Sequence, residues 1–153
     1  MQAAGNLLKQ LGIQIGLDGL GLNDEGHCSL AFDESIVVTF VADPDEGLNA
    51  VSFIGTVPNN DTSARMLSAI LESNFLPSNN GGARFALEPN SDRLVLVHRW
   101  DAMHIDLNGF TSQLEAYVNA VDAAQKMIEQ GLPSTGAGSA DSQPGLPSGA
   151  TFA

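Results

Sequence analysis

The strongest constraint on the fold lies late in the chain, where Phe110, Leu114, Tyr117, Val118, Val121, Ala124 and Ile128 recur at helical spacing. They line one face of a long helix beginning at Asn108, with Gly131 as its cap and Pro133 beyond. An apolar stripe of that length has to be covered by another layer.

The segments before it supply strands. Residues 27–33 alternate, with Cys28, Leu30 and Phe32 on one face, and Asp33-Glu34 forms a tight turn into 36–42. In that second strand Ile36, Val37, Val38, Phe40 and Val41 are apolar on both faces, as in a strand covered on each side or carrying a binding patch. Turn chemistry at 43–47 leads to a third strand over 50–57, with Val51, Phe53 and Val57 in phase. Residues 83–88 and 93–100 form a second hairpin around Pro89-Asn90-Ser91-Asp92.

Two further helices complete the pattern. Leu7, Leu8, Leu11 and Ile15 make a short stripe near the start, weakened at its end by Gly12 and Gly16. Met66, Leu67, Ile70, Leu71 and Phe75 mark another, with Asp61 or Thr62 as N-cap and Pro77 as the stop. The expected class is α+β: an antiparallel sheet covered by helices, in the order α-β-β-β-α-β-β-α. Residues 1–131 form one domain, and 132–153, rich in Gly, Ser, Pro and Ala, are expected to be a disordered tail too poor in apolar mass to offset chain entropy.

Composition narrows the function. Hydrophobic residues at 43% and charged ones at 16% provide a core. A net charge of −12 repels phosphate backbones and anionic headgroups, so nucleic acid and membrane are poor partners. A single cysteine, Cys28, allows no internal disulfide, and residues 1–15 lack the form of a signal peptide, pointing to the reducing cytoplasm.

Catalytic and metal motifs are weak. His27 and Cys28 are strand neighbours pointing to opposite faces. His98 and His104 lack further ligands nearby, and Asp43, Asp45 and Gly47 do not continue as a calcium loop. Gly16, Gly19 and Gly21 have neither a preceding strand nor a following lysine. No cofactor and no enzyme activity are expected, although a carboxylate pair in a cleft is a reading the residues leave open.

The chain resembles the class I type III secretion chaperones, the Tir chaperone or CesT family, over about residues 5–130. The likeness is carried by Leu-Leu-Lys-Gln-Leu-Gly at 7–12, Cys-Ser-Leu-Ala-Phe-Asp at 28–33, Ile-Val-Val-Thr-Phe at 36–40 and Leu-Ser-Ala-Ile-Leu-Glu-Ser-Asn-Phe at 67–75. Leu87-Glu88, Leu94-Val95-Leu96 and the 110–127 helix follow in the family's order. The tail is longer than a compact member requires, and the last helix ends without the tryptophan that members often carry.

The resemblance implies a homodimer in the bacterial cytoplasm that binds the N-terminal segment of a secreted effector in extended form without ATP, with the secretion ATPase as a further partner. An adaptor of the same fold that binds a folded protein is the other reading. Apolar surplus and resemblance together place effector binding on Leu7, Leu8, Leu11, Val37, Thr39 and Val41. Met66, Leu67, Ile70, Leu71 and Phe75 exceed what one helix face needs and are expected at the dimer interface.

Overall fold

Alternating and helical segments occur in the expected order in the computed structural model, which describes residues 1–76 and 80–131. The elements are α1 (Gln2–Ile15), β1 (His27–Phe32), β2 (Ile36–Ala42), β3 (Gly47–Thr56), α2 (Ser63–Ser73), β4 (Arg84–Leu87), β5 (Arg93–Asp101) and α3 (Leu107–Glu129). All neighbours in the sheet are antiparallel, in the order β1-β2-β3-β5-β4. The expected tail, 132–153, lies outside the described residues.

One face of the sheet carries the core. Leu30, Val38, Phe40, Leu48, Ala50, Leu96 and Trp100 meet Leu8 and Leu11 of α1 and Phe110, Leu114, Tyr117 and Val121 of α3. Burying each large side chain there contributes roughly 1.5–3 kcal/mol relative to exposure. Trp100 is the hub, edge-on to Phe110 at 5.1 Å and to Tyr117 at 5.9 Å. Tyr117 Oη donates to the Leu96 carbonyl at 2.8 Å and shares a hydrogen bond with buried Ser52 Oγ at 3.1 Å, so neither hydroxyl is left unpaired.

Helix ends follow local chemistry. Asp106 caps α3, its Oδ1 accepting from Gly109 N at 2.7 Å, so the helix starts one residue before Asn108. Gly16 closes α1 in the left-handed conformation. Thr62 is the N-cap of α2 but gives no side-chain bond to the helix; Asn60 Oδ1 instead accepts from Thr62 N at 2.9 Å.

The expected phase of β3 needs correction. Its core residues are Leu48, Ala50, Ser52 and Ile54, and the register shifts between Phe53 and Gly55. This bulge returns Gly55 and Val57 to the core side, where a Cβ on Gly55 would lie 2.7 Å from Ile128 Cγ2. Val57 therefore does not share a face with Val51 and Phe53.

Candidate functional site

Among the described residues the sheet is covered on one side, which leaves its other face and its two edges to define what the molecule can hold. On the uncovered face the registers align transverse rows. One runs Ser29, Thr39, Val51, Val97, Arg84 from β1 to β4, and another runs His27, Val41, Asn49, Arg99. A third pairs Ala31 with Val37 and Phe53 with Val95 and Ala86. Val37 is 51% exposed and Phe53 42% exposed, so apolar surface stands open here.

The two edges differ. At β4, the Asn74 side chain acts as a missing strand, with Oδ1 accepting from Phe85 N at 2.8 Å and Nδ2 donating to Phe85 O at 3.0 Å. Ala83 N is taken by Asn80 O at 2.9 Å, so this edge is largely closed. At β1, only the start is occupied, where Asn23 pairs with both His27 N and His27 O. Strand alternation turns the N–H and C=O of Ser29 and Ala31 outward in the same direction, and among the described residues nothing bonds to them.

α1 and the segment that runs from it to the start of β1 form two adjoining grooves. One of 430 Å³ runs between Lys9 and Ile13 of α1 and Leu17, Leu20 and Leu22; the other, of 390 Å³, runs from Gln2 to Asn23 and Gly26. Gly12 sets the geometry of the first, since a Cβ there would stand 2.7 Å from Leu17 O and 2.8 Å from Leu20 Cβ. The start of α1 is anchored by Glu46, which accepts from Ala3 N at 2.8 Å beside the terminal ammonium. That ammonium, with the helix N–H groups, holds the Glu46 carboxyl below its usual range.

Charged groups elsewhere pair locally. Arg99 Nε donates to Asp43 Oδ2 at 2.9 Å, which holds the Asp43 carboxyl low. His104 Nδ1 lies 2.8 Å from Asp101 Oδ2 and lowers that carboxyl likewise. Burial raises the Cys28 thiol, and His27 points to the opposite face, so no thiolate–imidazole pair forms between them. His98 lies against Trp100, ring centroids 4.6 Å apart, and burial pushes its pKa down. Among the described residues no three His, Cys, Asp or Glu side chains gather as a metal site requires, and no helix is long and apolar enough to cross a membrane.

This fold, a five-stranded antiparallel sheet with three helices, has counterparts among known proteins. The model of the Tir chaperone protein (CesT) family matches residues 6–125. The chain belongs to the Tir chaperone (CesT) family. Solved structures with this fold include the ExsC-ExsE complex, 21% identical, TM-score 0.67, covering 83% of this chain and 94% of that one. The HopA1-SchA chaperone-effector complex is 15% identical, TM-score 0.68, over 81% and 94%. The Yersinia pestis type III secretion chaperone SycH, bound to a fragment of YscM2, is 21% identical, TM-score 0.63, over 79% and 98%. No curated protein matches by sequence.

Within this CesT-family chain the expected site residues separate. Val37, Thr39 and Val41 share the open face, Val37 most exposed. Leu7, Leu8 and Leu11 are buried in the core, which overturns their expected place on the binding surface: α1 spends its only apolar stripe on docking. The exposed apolar residues of this region are Ile13, Ile15 and Leu17, of which Ile13 falls off the stripe. In α2, Met66 and Ile70 are buried in the chain's own core and Leu67 is half-buried, so Met66 and Ile70 do not stand free for a partner. Leu71 and Phe75 do, at 69% and 82% exposed, with Leu76 beside them.

Proposed function

We propose that this chain is a type III secretion chaperone of the bacterial cytoplasm that binds the N-terminal chaperone-binding segment of one or more effectors in extended form and keeps it stable and export-competent. The carrying observation is the asymmetry of the sheet. Asn74 closes the β4 edge, whereas at the β1 edge Ser29 and Ala31 offer main-chain groups that are unpaired among the described residues. An extended segment adds main-chain hydrogen bonds along β1, its alternate side chains reaching the Val37, Thr39 and Val41 face. Burying apolar area at roughly 25 cal/mol per Å² offsets the ordering of the segment.

The acting unit is a homodimer formed through the exposed flank of α2, and the loaded dimer presents its cargo to the secretion ATPase. Binding alone performs this role, without a catalytic step or a cofactor. The decisive experiment is co-expression with candidate effectors of the same bacterium, using the native chain and Ala31→Pro. Proline at Ala31 removes an outward N–H without touching the β2 pairing, so the variant folds. Loss of effector co-purification is expected. Unchanged co-purification by the folded variant would remove the β1 edge from the mechanism.

A further inference from the structure

Charge is sorted unevenly over this acidic chain. The open sheet face carries Arg84, Arg93 and Arg99, three of the six Lys and Arg in the whole sequence. Among the described residues, Asp and Glu reach that face only at its corners. Asp43, just past β2, and Asp101, at the last position of β5, lie by Arg99, and Glu88, just past β4, lies 3.4 Å from Arg93 Nε. Arg93 also stacks over the Phe53 ring, 4.9 Å from its centroid. Arg84 is different. Its Nη1 donates to the Asn74 carbonyl at 2.9 Å, and among the described residues no carboxylate lies within ion-pair distance. It ends the row that reaches back through Val97 and Val51, beside the apolar pair Val95 and Ala86.

We infer that the β4–β5 half of the open face is a contact surface for an apolar extended segment that carries a carboxylate, the carboxylate pairing with Arg84. This deepens the proposed function, because the occupant is part of the effector segment held at the β1 edge. The sheet is about 19 Å across at roughly 4.8 Å per strand, a span of about six extended residues. A guanidinium offers a carboxylate two parallel N–H groups. A second copy meeting this face by two-fold symmetry would bring the same arginines together, so charge favours a different chain as occupant.

The test uses the full chain immobilised against a display library of random 12-residue peptides, followed by synthetic peptides from the enriched set, each made with Glu (or Asp) and with Gln (or Asn). The expected enrichment is apolar segments bearing Asp or Glu, with the amide version about tenfold weaker, the scale of a charged hydrogen bond. Arg84→Gln should erase that discrimination, Arg84→Lys should keep part of it, and Arg84→Glu should favour Lys in the peptide. Enrichment of basic or uncharged segments, no enrichment, or an acid preference unchanged in Arg84→Gln overturns the inference. Ala31→Pro separates the two readings. If it abolishes binding of peptides that show no acid preference, the edge reading survives alone; if it leaves binding intact while Arg84→Gln removes the preference, the Arg84 surface survives alone.

Discussion

Two glycines of α1 look alike in sequence and differ in what surrounds them. A Cβ on Gly5 would meet only Leu22 Cδ1 at 3.8 Å, an ordinary contact, whereas one on Gly12 would press on the Leu17 carbonyl and Leu20. Gly5→Ala should therefore stabilise the chain by up to about 1 kcal/mol. Gly12→Ala should destabilise it by about 1–3 kcal/mol despite the better helix propensity, because the following segment must shift. Paired urea melts read both signs, and equal signs would mean the first groove is not built on Gly12. His98 gives a second residue-scale prediction. Burial against Trp100 lowers its pKa from the ordinary 6.5, so folding favours the neutral ring. That contribution is complete above about pH 6.5 and is lost as pH falls towards the lower folded value. Asp43, Glu46 and Asp101 are lowered carboxyls whose contributions fade only in more acidic solution, so the windows separate. Urea midpoints should fall between about pH 7.5 and 5.5 in the native chain and stay flat in His98→Gln; matching slopes would assign the effect elsewhere.

Among elements, the contrast between the two sheet edges is the feature with most consequence. Asn74→Ala should cost about 1–3 kcal/mol through two lost hydrogen bonds to Phe85, and should open β4 to pairing with other chains. Concentration-dependent aggregation in the variant, absent from the native chain, is the expected readout; a soluble variant with native stability would show the clip to be dispensable. The strands and helices themselves were legible, since alternation in β1 and β2 and the α3 stripe are local signals. The closed edge was not, because Asn74 reads as an ordinary residue after a helix until β4 is placed beside it. The bulge at Phe53–Gly55 also escaped, for the third strand looks alternating until Gly55 is seen against Ile128. Leu7, Leu8 and Leu11 misled for a physical reason: a stripe that docks on a core and one that awaits a peptide have the same spacing. The exposure of Val37 was readable, since apolar residues on both faces of β2 exceed what one covered face can use.

For the whole molecule, the proposal to test is a homodimer formed through the exposed end of α2. Leu71, Phe75 and Leu76 form an apolar patch that a monomer would leave in water, next to a helix whose other face already packs on the core. Two copies each carrying −12 repel, so a dimer through this patch must be held by apolar burial against an unfavourable field. Salt screens that repulsion, and the dimer should tighten as ionic strength rises. Light scattering at micromolar concentration is expected to give twice 16.0 kDa. Leu71→Asp with Phe75→Asp should give a folded monomer, because neither side chain belongs to the core. Deleting 133–153 removes a segment whose Gly, Ser and Pro content offers little to bury, so the thermal midpoint and the dimeric state should both persist. A native chain that stays monomeric at high salt would remove the α2 interface, while a truncated chain that falls apart would give the tail a share in it.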